Sequence, residues 1–93
     1  MKYTVKPTSL FKKDLKKMQK QHKDLELLNQ ILKLLADGKA LPEKNRDHAL
    51  TGNYTGCRKC HIQPDWLLIY EAADDTLFLY LTRTGSHSEL FDK

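Results

Sequence analysis

The sequence has no long apolar run and no export signal, and both absences exclude classes of protein. Hydrophobic residues make up 40% of its 93 residues, yet no stretch approaches the roughly 20 that a membrane span needs. The N-terminal segment lacks the apolar core of a signal peptide, so we expect a cytoplasmic protein without a membrane partner. Its length and periodic hydrophobicity predict one globular domain over residues 1–93.

Cysteine is scarce, and its two copies form a C-x-x-C-H sequence between Cys57 and His61. That sequence is the signature of covalent haem attachment, which takes place outside the cytoplasm. It also falls in a strand pattern, where residues three apart point to opposite faces. Zinc would need two further ligands, and the sequence has no second C-x-x-C or H-x-H pair. We therefore expect no cofactor, no metal and two free thiols.

Positive charge is concentrated at the start of the chain. Eight lysines against one acid give +7 over residues 1–23, eight basic against eleven acidic residues give −3 over residues 24–93, and the whole chain carries +4. A concentrated basic face indicates a polyanionic partner such as RNA, DNA or an acidic protein segment. A solvated helix face explains the same lysines equally well, so charge alone leaves both interpretations open.

The first half of the chain predicts a short strand followed by two amphipathic helices. A β-type run over residues 3–6 ends at Pro7. Apolar residues then recur at helical spacing in two stripes, with Asp24 as N-cap of the second helix and Gly38 as its left-handed C′ residue. The stripes are Phe11, Leu15, Met18 and His22, then Leu28, Ile31, Leu32 and Leu35. A helical hairpin of this kind is expected to cover a sheet.

The second half predicts three strands, over residues 54–62, 66–71 and 76–82, after a loop over residues 39–53. Turn residues join the strands at Gln63-Pro64-Asp65 and at Asp74-Asp75. Strands joined by such short turns are antiparallel neighbours. The expected fold is therefore α+β: an N-terminal strand, a two-helix hairpin and three antiparallel strands, forming a four-stranded sheet packed against the helices.

Side chains suited to acid–base chemistry occur at the strand ends and in the loop. They are His48, His61, Asp65, Arg83 and His87, with Trp66, Tyr70 and Phe91 nearby. If they meet, they are the groups needed to cleave RNA without a metal: a base for the ribose 2′-hydroxyl, an acid for the departing 5′-oxygen, and a cation for the phosphorane. Exposed aromatic rings, Trp66 and Phe91, would stack on bases.

The basic first helix, with Lys12 and Lys16, would hold the RNA backbone or ribosomal RNA. Three of the candidate site residues also have purely structural explanations. Asp65 can simply stabilise its turn, Trp66 can belong to the core, and Arg83 can be a surface cation at a strand end.

Three segments of the chain resemble the RelE/ParE toxin superfamily, and within it the YafQ branch. The segments are DHALTG (47–52), R-x-x-HI-x-PDWLLIY (58–70) and RTGSHSELF (83–91). The resemblance implies a RelE-like fold and a toxin of a type II toxin–antitoxin pair. Such a toxin cuts mRNA on the translating 70S ribosome without metal. It is neutralised by a cognate antitoxin, and it reaches operator DNA only through the antitoxin complex.

The resemblance also implies roles for the site residues. His87 is expected as general acid, Arg83 as phosphate ligand, and His48 or Asp65 as general base. His61 would orient groups or stabilise charge, while Phe91 and Trp66 would hold an RNA base. The rival hypothesis is a non-catalytic binding protein on the same fold, which poisons gyrase or only binds an antitoxin.

Overall fold

The computed structural model describes residues 1–91 and contains a five-stranded sheet with two helices packed on one face. The strands are β1 (Thr4–Pro7), β2 (His48–Ala49), β3 (Arg58–Gln63), β4 (Trp66–Ala73) and β5 (Phe78–Gly85); the helices are α1 (Ser9–Lys20), α2 (Leu25–Ala36) and α3 (His87–Phe91). Two 3₁₀ helices, Glu43–Asn45 and Gly52–Tyr54, lie before and after β2. Within the described part of the chain, no helix is both long enough and apolar enough to cross a membrane.

The strand order is β1-β5-β4-β3-β2, with β1 parallel to β5 and the remaining pairs antiparallel. The predicted α+β class is therefore confirmed, whereas the predicted count of four strands is wrong. The fifth strand, β2, lies inside the segment predicted as loop and is only two residues long. A strand of two residues is too short to show an alternation in sequence.

Local signals in the sequence set the helix ends as predicted. The Asp24 carboxylate accepts from the Glu26 N–H at 3.1 Å and caps α2, and Gly38 follows that helix with a φ of +75°. The α1 and α2 stripes bury Phe11, Met18, Leu28, Ile31 and Leu35. His22 instead lies exposed just beyond α1, with a φ of +60°.

Strand β4 is buried on both faces, as its continuous apolar sequence predicts. On one face, Trp66, Leu68 and Tyr70 pack with residues of α1 and α2. On the other, Leu67 and Ile69 pack with Leu90 of α3. This second face, which we call the open face, is covered only in part, by α3 and the segment around residues 50–57.

A bulge in β5 determines which side chains reach the open face. Tyr70 pairs with Leu81 but Ile69 pairs with Arg83, so Thr82 is an extra residue between them. Leu79 and Leu81 face the helices, and strict alternation would place residue 83 there as well. The extra residue reverses the alternation and puts Arg83 beside Ile69 on the open face.

Candidate active site

The strand register aligns polar side chains in two adjacent rows across the open face. One row runs through His48, Lys59, Ile69 and Arg83, and the next through His61, Leu67 and Gly85. Directly paired residues point to the same face, and diagonal neighbours in antiparallel strands lie about 7–8 Å apart. His48 and His61 are such diagonal neighbours, so the sheet places two of the predicted imidazoles side by side.

The β3–β4 turn and α3 bring Asp65 and His87 into contact at the same end of the sheet. The Asp65 Oδ1 accepts from the His87 backbone N–H at 2.9 Å and lies 2.6 Å from the His87 Nδ1. The His87 backbone N–H, followed by its ring, lowers the pKa of Asp65. Because the ionised carboxylate only accepts, Nδ1 carries the proton. The Nε2 atom of His87 is thereby left to face a substrate.

His61 links this pair to His48. Its ring centroid lies 5.5 Å from that of His87, at an interplanar angle of 60°. Partial burial and the positive charge of Lys59 lower the pKa of His61. We therefore expect its imidazole to be neutral at neutral pH, which suits a hydrogen-bonding or positioning role better than that of a proton donor.

The His48 ring is oriented by the backbone. Its Nδ1 lies 2.8 Å from the Arg46 carbonyl oxygen, an acceptor, so Nδ1 carries the proton and Nε2 has the free lone pair. The preceding residue, Asp47, is held by the Tyr70 hydroxyl at 2.6 Å and by the Arg58 Nε at 3.2 Å. This arrangement fixes the segment that carries His48 and leaves its Nε2 able to accept a proton.

Arg83 reaches the open face, but part of its guanidinium already donates hydrogen bonds to an acidic side chain. Its Nε and Nη2 donate to Asp14 of α1 at 2.7 and 3.0 Å, and these hydrogen bonds raise the pKa of Arg83. The same carboxylate accepts from the Thr84 N–H at 3.2 Å, where the edge of β5 continues beyond β1. The predicted phosphate ligand is thus anchored in place by Asp14, with Nη1 left to donate elsewhere.

Lys59 is a site residue that the sequence argument missed. It lies between His48 and Ile69 in the first row, and its Nζ lies 5.1 Å from the centre of the Phe91 ring. Within residues 1–91 it has no carboxylate partner. Lys59 and His61 are two residues apart along β3 and therefore point to the same face. This spacing is the signal in the sequence that could have identified Lys59.

A network of polar contacts fixes α3, which carries His87 and Phe91. The Glu89 carboxylate accepts from the Ser86 N–H at 2.8 Å, and the Ser86 hydroxyl accepts from the Glu89 N–H at 3.2 Å, forming a capping box. Lys17 of α1 adds an ion pair with Glu89 at 3.0 Å. The Ser86 N–H, followed by Lys17, lowers the pKa of Glu89 to about 2.

Trp66 is part of the core, which corrects its predicted role in holding an RNA base. Its side chain is fully buried, and its Nε1 donates to the Thr84 hydroxyl at 2.9 Å. Trp66 lies on the face of β4 that packs against the helices, so a nucleotide cannot reach it. Phe91, by contrast, lies partly exposed at the open face, 5.8 Å from the Tyr54 ring. Stacking on a base stays a prediction for Phe91 alone.

Lys12 and Lys16 are both exposed on α1. In α1, Asp14 and Lys17 are the residues that contact Arg83 and Glu89. At 100° per residue, Lys12 and Lys16 lie about 130° or more around the helix from that direction. Contact of Lys12 and Lys16 with the RNA backbone or with ribosomal RNA stays a prediction, and it would use a side of α1 other than the one that contacts Arg83.

The two cysteines lie on opposite faces of the sheet, as the strand argument predicts. Cys60 is buried with the helix-facing core, where burial raises the pKa of its thiol to about 12. Cys57 packs with the Leu67 and Ile69 cluster instead. Both are free thiols. Over residues 1–91, no group of three or more His, Cys, Asp or Glu side chains is arranged to hold a metal ion.

Comparison with known proteins shows which family this chain resembles in sequence. Residues 3–92 match the family described as the bacterial toxin of type II toxin–antitoxin system, YafQ. The chain is 42% identical over 82 residues to the mRNA interferase toxin YafQ of Escherichia coli K12, which covers 87% of each chain.

Solved structures of similar proteins share the whole fold. The crystal structure of YafQ from E. coli BL21(DE3) aligns with a TM-score of 0.89 at 37% identity, over 96% of this chain and 98% of that one. The toxin chain in the E. coli DinJ–YafQ toxin–antitoxin complex aligns with a TM-score of 0.87 at 37% identity, over 98% and 99% of the two chains.

Proposed function

The chain belongs to the YafQ family of type II toxin–antitoxin toxins, and from this premise we propose that it is a ribosome-dependent endoribonuclease that cleaves mRNA. The observation that supports this best is the orientation of the two outer imidazoles. His48 presents a free lone pair at Nε2, and His87 is held at Nδ1 by the Asp65 carboxylate, which leaves its Nε2 free. An RNA phosphodiester placed between them meets a base on one side and an acid on the other.

The reaction follows from these positions. The Nε2 of His48 removes the proton of a ribose 2′-hydroxyl, and the resulting oxygen attacks the adjacent phosphorus. His87 gives a proton from Nε2 to the departing 5′-oxygen as the phosphorus–oxygen bond breaks. The products are a 2′,3′-cyclic phosphate and a 5′-hydroxyl, so atoms and charge balance without a further reactant. Asp65, bonded to His87, acts as the partner of the acid, which leaves His48 as the base.

Two cations stabilise the negative charge that builds up on the phosphorane oxygens. Lys59 pairs directly with His48, and Arg83 lies two strands away from Lys59 in the same row. Preorganised positive charge of this kind is often the largest single contribution to catalysis. Neutral His61 lies between His48 and His87 and helps to position the phosphate. Phe91, at the edge of the open face, stacks on a base next to the cut.

A cognate antitoxin completes the proposal. The E. coli relative forms a DinJ–YafQ toxin–antitoxin complex, and we expect an antitoxin to block the open face of this chain. Operator DNA is then contacted through the antitoxin complex. The toxin acts in the cytoplasm, since its substrate is the mRNA on 70S ribosomes.

The direct test is primer extension on a message being translated by purified 70S ribosomes, followed by chemical identification of the new ends. We expect cuts with 2′,3′-cyclic phosphate and 5′-hydroxyl ends, and loss of these cuts in His87→Ala. The matched control is His22→Asn, which changes the exposed histidine beyond α1 and keeps a residue tolerant of positive φ. Intact mRNA together with gyrase-dependent DNA breaks would instead support the binding-only toxin.

A further inference from the structure

A cavity of about 440 Å³ lies beside His61 at the outer edge of β3. Its walls are residues 44–46, from the first 3₁₀ helix and the residue after it, and residues 61–64, from β3 and its turn. The cavity exists because β2 pairs with Arg58 and Lys59 but not with the rest of β3. Its volume is in the range of small-molecule sites, sufficient for one nucleotide.

A buried amide holds the two walls at a fixed distance. Asn45 is 5% exposed, and its Nδ2 donates to the His61 carbonyl oxygen at 2.7 Å. Its Oδ1 is buried and has no hydrogen-bond partner within residues 1–91. The Asn45 amide therefore ties the two walls together through one hydrogen bond, and its oxygen remains an unused acceptor beside the cavity.

The cavity has a surplus of positive charge. Lys44 and Arg46 are both exposed and both line it. Within the described chain neither has an acidic partner, whereas Lys17, Arg58 and Arg83 are each paired with a carboxylate. The Arg46 charge also contributes to the lowered pKa of His61, so the guanidinium lies near that ring. Unpaired cations around a preformed cavity are suited to phosphate.

The position of the cavity relative to the imidazoles defines which nucleotide it faces. The Arg46 carbonyl holds the His48 ring at 2.8 Å, so the cavity lies on the His48 side of His61. His87 approaches His61 from the other side, where α3 follows β5. The nucleotide on the side of the base is the one that carries the attacking 2′-hydroxyl.

We propose that this cavity is the subsite for the nucleotide on the 5′ side of the cut, here called the upstream subsite. Lys44 and Arg46 hold the 5′-phosphate of that nucleotide, which is not the phosphate that is cut. Its base lies against the apolar surfaces of Ile62 and Pro64, and the Gln63 amide reads its edge. The upstream subsite rests on the proposed nuclease function and specifies which part of the RNA that function selects.

The charges are tested by Lys44→Gln with Arg46→Gln, on 70S ribosomes programmed with a message whose cut site is mapped. Because these cations bind the phosphate equally in the ground state and the transition state, we expect KM to rise about tenfold with kcat unchanged. The dependence of the logarithm of kcat/KM on the logarithm of salt concentration should become shallower by about one to two.

The matched control is Lys33→Gln with Lys39→Gln, two exposed lysines at the end of α2. That end bonds to the first residues of the chain, since the Ala36 carbonyl accepts from the Lys2 N–H at 2.8 Å. It lies at the sheet end opposite the β3–β4 turn, because β1 begins beside the start of β5. The fluorescence of the single, buried Trp66 confirms that each variant is folded.

The reading of the base is tested by Gln63→Ala on messages that differ only in the nucleotide 5′ of the cut. We expect about a fivefold loss of preference at that position, because one side-chain amide discriminates bases by about 1 kcal/mol. Two results would overturn the upstream subsite: an unchanged KM in the double charge variant, or unchanged preference in Gln63→Ala. Wild-type protein that leaves all messages intact would refute the nuclease itself, and the subsite with it.

Discussion

The Asp65 carboxylate holds His87 at two points, accepting from its backbone N–H at 2.9 Å and from its ring Nδ1 at 2.6 Å. The two residues are separated by 22 positions in sequence, and they meet because β4 begins where β5 ends. One carboxylate therefore fixes both the start of α3 and the direction of the imidazole. The same contact selects the tautomer that carries its proton on Nδ1, which leaves Nε2 to face a substrate.

Replacing Asp65 with Asn should separate these effects. The carboxamide oxygen can still accept the His87 backbone N–H, but the negative charge beside the His87 ring is lost. We expect the cleavage rate at neutral pH, measured by single-turnover cleavage on ribosomes, to fall about 10²-fold, within the usual range for an acid–base partner. An unchanged rate would show that Asp65 only stabilises its turn.

Glu89 should make stability depend on pH in the acidic range. Its pKa is lowered from 4.5 to about 2, so the folded state binds fewer protons there than the unfolded state. The stabilisation is complete above pH 4.5 and is lost as the pH falls towards 2. Glu89→Gln keeps the capping geometry but not the charge, so thermal unfolding should show a weaker pH dependence in this window.

At neutral pH, Glu89→Ala should lose both the cap and the ion pair with Lys17. We expect a loss of about 1 kcal/mol in the free energy of unfolding and a larger relative loss of cleavage, because α3 no longer holds His87 in position. Equal cleavage per folded molecule in the Ala and Gln variants would contradict this role of α3.

Lys59→Met tests the residue that the sequence argument missed. Because Lys59 lowers the pKa of His61, its removal should raise that pKa, although burial, the larger cause, still lowers it. The ring resonances of His61 in an NMR titration would show the change. Cleavage should fall about 10²-fold if Lys59 stabilises the phosphorane, while Lys39→Met leaves both readouts unchanged. A lower pKa of His61 in the Met variant would contradict the electrostatic account.

Trp66→Phe should lower the stability of the fold without changing catalysis, whereas Phe91→Ala should weaken substrate binding. The first removes a buried hydrogen bond to Thr84 and part of a packed ring, at a cost of about 2 kcal/mol in stability. Its cleavage per folded molecule should be unchanged. The second should raise KM about tenfold, as the loss of one stacked base predicts. A raised KM in folded Trp66→Phe would restore the discarded base-holding role.

The elements that sequence predicts are those whose signals are local. The Asp24 cap, the Gly38 terminus and the turn at Pro64-Asp65 depend on single residues with defined backbone preferences. The helix stripes and the three long strands depend on periodicity over many positions. These elements already bring Asp65 and His61 to one end of the sheet.

The features that sequence could not predict depend on register. The bulge at Thr82 reverses the alternation of β5 and turns Arg83 towards the open face. The burial of Trp66 depends on which of the two alternating sets of β4 residues faces the helices, and both sets are apolar. The pair between Arg83 and Asp14 joins residues 69 positions apart. Contacts of this kind are fixed by tertiary packing rather than by neighbouring residues.

In the proposed mechanism, His48 and His87 act on opposite sides of one phosphodiester, as base and acid. The most direct measurement uses a message in which the departing 5′-oxygen at the cut site is replaced by sulfur, a leaving group that needs no proton. We expect this substrate to restore cleavage by His87→Ala to near the wild-type rate and to leave His48→Ala inactive. Equal rescue of the two variants, or no rescue of His87→Ala, would contradict this mechanism.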